Sequence, residues 1–190
     1  LFGIAFERPG GVVYDALGLE GVRAKLLLKM NMAHWYAQIR SRNPDLFVLH
    51  YGTNESEQEE MNFQRYRKTL KRVILRFKRA VPKASCLLVS PMDRGKKDPN
   101  SGKIRSRRVV RKIVEIQRAV ADEENCAFWS TFDAMGGPGS MGRWYRAHPK
   151  LAGGDLTHPT SKGANLIGAM FFAAIMEGYK HYQQAPQLTQ

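Results

Sequence analysis

Asp155 and His158 stand three residues apart in the stretch Gly153-Gly154-Asp155-Leu156-Thr157-His158-Pro159-Thr160. A carboxylate so placed can accept the proton on one ring nitrogen and fix the tautomer, which leaves the other nitrogen free to act as a base. Those are two of the three parts of a hydrolase triad; the nucleophile is the third. Asp-x-x-His by itself equally describes a loop hydrogen bond, so the pair needs companions before it means catalysis. Just beyond it an apolar pattern at helical spacing begins (Leu166, Ile167, Met170, Phe171, Ala174, Ile175). The pair therefore lies on a loop that enters the N-terminus of a helix.

The elements that must position this pair can be read in order. Gly11-Val12-Val13-Tyr14-Asp15 reads as a short strand, followed by a loop with Gly18 and Gly21. Apolar residues every three or four positions predict a helix over 22–39, stopped by Asn43-Pro44-Asp45. Residues 46–51 form an apolar run expected to be a strand buried on both faces, ending in Gly52-Thr53-Asn54. A basic amphipathic helix over 59–81 follows, then a strand over 85–90, a polar loop over 93–102 and a second basic helix over 104–122. Residues 126–131 read as a fourth strand. A long Gly- and aromatic-rich loop over 132–154 carries one short helix near 140–146, and the last helix spans 161–182. Alternation of strand and helix with near-continuous apolar strands implies a parallel sheet covered on both faces. In such sheets ligands bind at the C-terminal strand ends, where 18–21, 52–54 and 155–158 all fall.

Composition bounds the rest. The 190 residues, 43% of them apolar, suffice for one domain with a real core. No apolar run reaches membrane-spanning length, since 166–176 is short and interrupted by Gly168. The net charge of +13 is concentrated: residues 65–112 hold eighteen of the thirty Lys and Arg, against only Asp93 and Asp98. Such basic faces favour anionic partners. No helix-turn-helix, zinc-finger or aromatic RNA-binding pattern accompanies them, so no specific nucleic-acid partner is expected. The expectation is instead a solvated outer face that can contact an anionic polymer or membrane surface. Cys86 and Cys126 lie in apolar, strand-like runs; two cysteines define no disulfide framework, and buried free thiols are expected.

Together these segments resemble the SGNH (GDSL-type) esterase and acylhydrolase superfamily. That family carries four short blocks: a nucleophilic serine after the first strand, a glycine after the second, Gly-x-Asn after the third, and Asp-x-x-His before the last helix. Gly18-Leu19-Glu20-Gly21 is similar to the second block, Gly52-Thr53-Asn54 to the third and Asp155-Leu156-Thr157-His158 to the fourth. Tyr51-Gly52-Thr53-Asn54-Glu55 and Phe128-Trp129 are similar to the branch of bacterial peptidoglycan and polysaccharide O-acetylesterases. The resemblance implies a three-layer α/β/α flavodoxin-like fold, with four of its parallel strands in this chain. Residues 1–182 would be the C-terminal part of one such domain and 183–190 a polar tail. It also implies a periplasmic or cell-surface bacterial setting, an acylated carbohydrate as substrate, and neither cofactor nor metal. Asp155, His158 and His148 are too loosely spaced to argue for a metal centre.

The first block is absent, because Gly-Asp-Ser occurs nowhere in the chain. In the family fold the strand order is 2-1-3-4-5, so the missing strand is central, and its loss would leave two inner edges unpaired. The expectation is that the strand and its serine come from an upstream segment or a companion chain. Ser90 is followed by Pro91, with no glycine to form a sharp elbow, and Ser56 reads as a helix cap; neither suits a nucleophile.

The resemblance implies acyl transfer from an ester, with His158 as base, Asp155 as its partner, and the Gly21 N–H and Asn54 amide facing the oxyanion. Trp129, Trp144 and Arg146, with Gly52, are candidate substrate contacts, the aromatic residues serving equally well as core packing. Two alternatives stay open: an O-acetyltransferase using the same site, and a serine-less binding module that uses the basic face.

Overall fold

A computed structural model describes residues 10–184. The helices and strands run α1 (Met32–Arg42), β1 (Leu46–His50), α2 (Phe63–Ala80), β2 (Ser85–Val89), β3 (Gly95–Lys97), β4 (Ile104–Ser106), α3 (Arg108–Glu123), β5 (Ala127–Trp129), α4 (Thr131–Ala134), α5 (Ser140–Arg146) and α6 (Ser161–Gln184), with 3-10 turns at Ala24–Leu28 and Glu55–Glu57. Strands β1, β2 and β5 form a parallel sheet in that order, with Val48 opposite Leu87 and Val89 opposite Trp129.

The register sorts the side chains into two faces. Phe47, Leu49, Cys86 and Leu88 point into the main core, against Leu70, Val73 and Ile74 of α2 and Val110, Ile113 and Val120 of α3. The opposite face carries Leu46 and Val48 of β1, Leu87 and Val89 of β2, and Trp129 of β5. There α6 lies over β5, with the Trp129 and Phe171 rings 4.8 Å apart. The α/β/α layering expected from the alternating pattern is therefore present. A second, smaller core gathers Met135, Met141, Trp144, Ala152 and Leu156 beneath the long loop.

Five expectations are corrected. The parallel sheet has three strands, not four: residues 11–15 form no strand, and Val12 is 96% exposed. An edge strand exists through the ladder to its neighbour, and none of the described residues supplies that neighbour. For the same reason β1 is buried on one face only. Its residues alternate between exposed and buried, and Leu46 and Val48 remain 45% and 42% exposed. The helix expected over 22–39 is split by Asn31, whose side chain accepts the His34 N–H at 3.0 Å and caps α1. The polar loop after β2 contains an antiparallel hairpin, Gly95 to Ser106. Its three-residue strands are too short and too charged to show alternation. Finally, Cys86 and Cys126 are not free thiols but a disulfide. Cys86 lies on β2 and Cys126 immediately precedes β5, and the parallel register of Leu87 with Ala127 brings the two side by side. Of the tail assigned to 183–190, residues 183–184 belong to α6 and the rest lie outside the described residues.

Candidate active site

The Asp-x-x-His loop is a tight turn held from both ends. Gly153 N–H donates to the His158 carbonyl at 2.8 Å, and Ala152 bridges Pro159 in antiparallel fashion. Leu156 takes a left-handed φ of 55° and buries its side chain in the smaller core, and its carbonyl accepts the Gly95 N–H at 2.8 Å. Asp155 Oδ1 accepts the Thr157 and His158 backbone N–H groups at 3.0 Å each. Its other oxygen, Oδ2, lies 2.5 Å from His158 Nδ1. With Nδ1–H so committed, Nε2 is the basic nitrogen, and the His158 side chain is 72% exposed. Partial burial pushes the Asp155 carboxyl up. The hydrogen bonds from the His158 ring and from the His158 and Thr157 N–H groups, together with the charge of His158, outweigh that and pull it down to about 2.

The Gly-x-Asn loop is fixed with equal care. Gly52 has φ 125°, and a Cβ there would meet Pro91 Cδ and Cγ at 2.9 Å and Ile113 Cγ2 at 3.1 Å, so only glycine fits. Asn54 begins a 3-10 turn without capping it; its Nδ2 instead donates to the Val22 carbonyl at 3.1 Å. A primary amide has two N–H bonds, so one donor remains to face a ligand. Arg23 Nε returns a bond to the Asn54 carbonyl at 3.1 Å. Gly21, one residue before Val22, has φ 69°, and its N–H has no hydrogen-bond partner among the described residues. The two segments named as oxyanion donors are thus stitched together.

Two residues to which the sequence assigned no role do the joining. Glu55 is buried, and its two carboxylate oxygens accept the Ala24 N–H at 2.8 Å and the Gly52 N–H at 3.0 Å, which ties the Gly21 segment to the Gly52 turn. Arg94, on the loop after β2, spans the Gly52–Asn54 and Asp155–His158 loops. Its Nε donates to Thr157 Oγ1 at 3.0 Å, and its Nη1 donates to the Thr53 carbonyl and to Ser56 Oγ at 3.3 Å each. Burial, then the neighbouring Arg107, lowers the Arg94 guanidinium, while Glu57 and Asp155 hold it up. Glu55 closes the Tyr51–Glu55 motif, but its position there does not reveal that it bonds the Ala24 N–H. Arg94 lies dozens of positions from every acceptor it serves, so no local signal announced it.

The other candidates separate by burial. Trp129 packs against Phe171 of α6, Trp144 is buried in the smaller core, and Arg146 is exposed on α5. Ser90 is fully buried: its hydroxyl donates to the Pro91 carbonyl at 3.0 Å and accepts the Phe132 N–H at 3.2 Å. Ser56 is equally buried and bonded to the Thr53 carbonyl at 2.6 Å; Asn62, not Ser56, caps α2. Among the described residues no three His, Cys, Asp or Glu side chains gather as a metal site.

Several solved structures share this architecture. A peptidoglycan O-acetylesterase superposes with a TM-score of 0.77 at 23% identity, covering 87% of this chain and 46% of that one. The chain thus spans less than half the length of that relative. An acetyl xylan esterase, AlAXEase, gives 0.61 at 19% identity over 83% of this chain and 78% of that one. A carbohydrate esterase family 3 protein from Talaromyces cellulolyticus gives 0.61 at 17% identity over 92% and 76%. At such identities the likeness is one of fold. No curated protein matches. The model of the GDSL-like Lipase/Acylhydrolase family matches residues 5–166, a span holding the glycine, Gly-x-Asn and Asp-x-x-His blocks, and this chain belongs to that family.

Proposed function

We propose that this chain carries the base and the oxyanion donors of a carbohydrate O-acetyl ester hydrolase, and that upstream polypeptide or a companion chain supplies the serine. The observation that carries the reading is the hydrogen-bonded link from Thr53, the residue before Asn54, through Arg94 to Thr157, in the loop of an Asp155–His158 pair whose ring is open to solvent. His158 Nε2 takes the serine proton as the serine oxygen attacks the acetyl carbonyl, and Asp155 stabilises the imidazolium that forms. The carbonyl oxygen, now anionic, receives the Gly21 N–H and the second Asn54 N–H; a donor of this kind is worth ~100-fold or more in rate. His158 then returns its proton to the departing sugar oxygen. Water, activated by the same nitrogen, releases acetate and restores the serine. The Cys86–Cys126 disulfide supports placement in an oxidising compartment, as a periplasmic or cell-surface enzyme would require.

The test is hydrolysis of 4-nitrophenyl acetate by the full-length gene product, with labelling by a fluorophosphonate. His158→Ala should lower kcat by about a thousandfold or more, and the label should map to a serine outside residues 1–190. Full activity in His158→Ala, or a label on Ser56 or Ser90, would refute the assignment. Faster acetyl transfer to an added glycan than to water would replace the hydrolase by the transferase.

A further inference from the structure

We propose that the cleft between the 3-10 turn Ala24–Leu28 and the first turns of α2 holds a carboxylate-bearing sugar unit of the polysaccharide, so that the substrate is an acidic glycan. The proposal rests on the esterase reading above for its catalytic meaning, but not for the site itself. The cleft has a volume of about 270 Å³, close to the ~300 Å³ lower end of small-molecule sites. Arg23, Lys25 and Arg65 line it as cations, with Met61 and Tyr66 as its apolar side. Its one acid, Glu55, has both oxygens engaged by the Ala24 and Gly52 N–H groups. Arg23 faces Glu57 at 3.5 Å. Lys25 and Arg65, by contrast, have no acidic partner among the described residues, and the first turn of α2 contains no acid.

That distinguishes these two from several cations on the basic helices. On the outer faces of α2 and α3, Arg67 and Lys71 pair with Glu123, and Arg111 and Lys112 pair with Glu115. Lys25 and Arg65 thus leave positive charge uncompensated beside this cleft, where Arg and Lys together can grip a carboxylate by charge-assisted hydrogen bonds. Position gives the site its use. Arg23 Nε is bonded to the Asn54 carbonyl, and Arg23 lies two residues from Gly21. An acidic unit seated here would hold a neighbouring acetylated unit over the oxyanion donors.

The experiment measures binding of trigalacturonate, with neutral galactotriose as control, to the full-length protein by calorimetry at low and high salt. Trigalacturonate should bind at least about tenfold more tightly than galactotriose, and the difference should shrink with salt. The double variant Lys25→Glu/Arg65→Glu, both residues being exposed, should keep its melting temperature and its 4-nitrophenyl acetate hydrolysis within twofold while losing the preference. Equal binding of the two sugars, or a preference that survives the double substitution, would overturn the site. If the wild-type protein binds trigalacturonate selectively yet never cleaves 4-nitrophenyl acetate, the acidic-glycan site stands and the esterase reading falls.

Discussion

At the scale of single residues, ionisation of the dyad sets the first prediction. Asp155 is held at about 2 against an ordinary 3.8, chiefly because hydrogen bonds to its charged form overcome the cost of partial burial. A depressed carboxyl contributes stability that is present above the unfolded value and lost as pH falls through the folded one. Melting temperatures of the wild type and Asp155→Asn should therefore differ above about pH 4 and converge as pH approaches about 2. The carboxyl is half exposed, so the difference will be modest. Activity should respond far more, falling by about a thousandfold or more at neutral pH, because the asparagine side chain carries no charge to stabilise the imidazolium. Parallel curves down to the lowest pH would show that Asp155 is not held in this way.

Arg94 gives a second prediction at this scale. It is a positioning residue: it reaches Thr157, Thr53 and Ser56 through a planar fork that a lysine ammonium cannot reproduce. Displacing one loop against the other by about an ångström costs on the order of a hundredfold in rate. Arg94→Lys and Arg94→Met should both lower kcat for 4-nitrophenyl acetate by roughly 10- to 100-fold, with KM changed little. Equal kcat in wild type and Arg94→Lys would show that charge alone suffices and that the fork does no positioning.

At the scale of elements, what the sequence made legible and what it hid divide along one line. The two amphipathic helices, β1, β2 and the short helix at 140–146 were readable because each announces itself by local periodicity or by bounding turns. The three blocks were readable because each is a contiguous word. What was hidden mostly depends on pairing across the chain: the disulfide and the Arg94 clasp join residues whose neighbours only the fold selects, while the hairpin at Gly95–Ser106 is local but its three-residue, charged strands show no alternation. Glycines show the same division. Gly163 opens α6, and a Cβ there would lie 1.9 Å from the Leu151 carbonyl oxygen, the oxygen that accepts the Thr160 N–H. Helix propensity alone favours alanine over glycine by up to about 1 kcal/mol. Overpacking against rigid backbone costs about 1–3 kcal/mol and should win. Gly163→Ala should lower the melting temperature by about 5 °C for a chain of this size and reduce activity, because Thr160 and Leu151 flank the His158 loop. Gly168→Ala in the same helix meets nothing within 4 Å and should be neutral or stabilising. A Gly163→Ala protein as stable as Gly168→Ala would mean that the helix start is not pinned to Leu151.

At the scale of the whole molecule, one side of the sheet is unfinished. β1 pairs with β2 along one edge, and no described residue pairs with the other. On the face shared with Trp129, Leu46 and Val48 are open to solvent although α6 covers β5. Continuing that layer, α6 leaves Phe172 65% exposed. An open strand edge beside exposed apolar side chains is a surface that natural sheets pair or cover. The proposed serine segment would do both, laying a strand along β1 and extending the layer over Leu46 and Val48. The consequence can be tested in the longer polypeptide without isolating the chain. Val48→Asp at a solvated position should change stability by no more than about 0.5 kcal/mol. Beneath an added layer it should cost about 2 kcal/mol or more, because an unpaired carboxylate would then be buried. We expect the larger value by urea denaturation, with a smaller effect from Leu75→Asp, a similarly exposed position on the outer side of α2. Equal and small effects at both sites would leave β1 as a true edge, and the serine would then have to reach His158 by a route that adds no strand to this sheet.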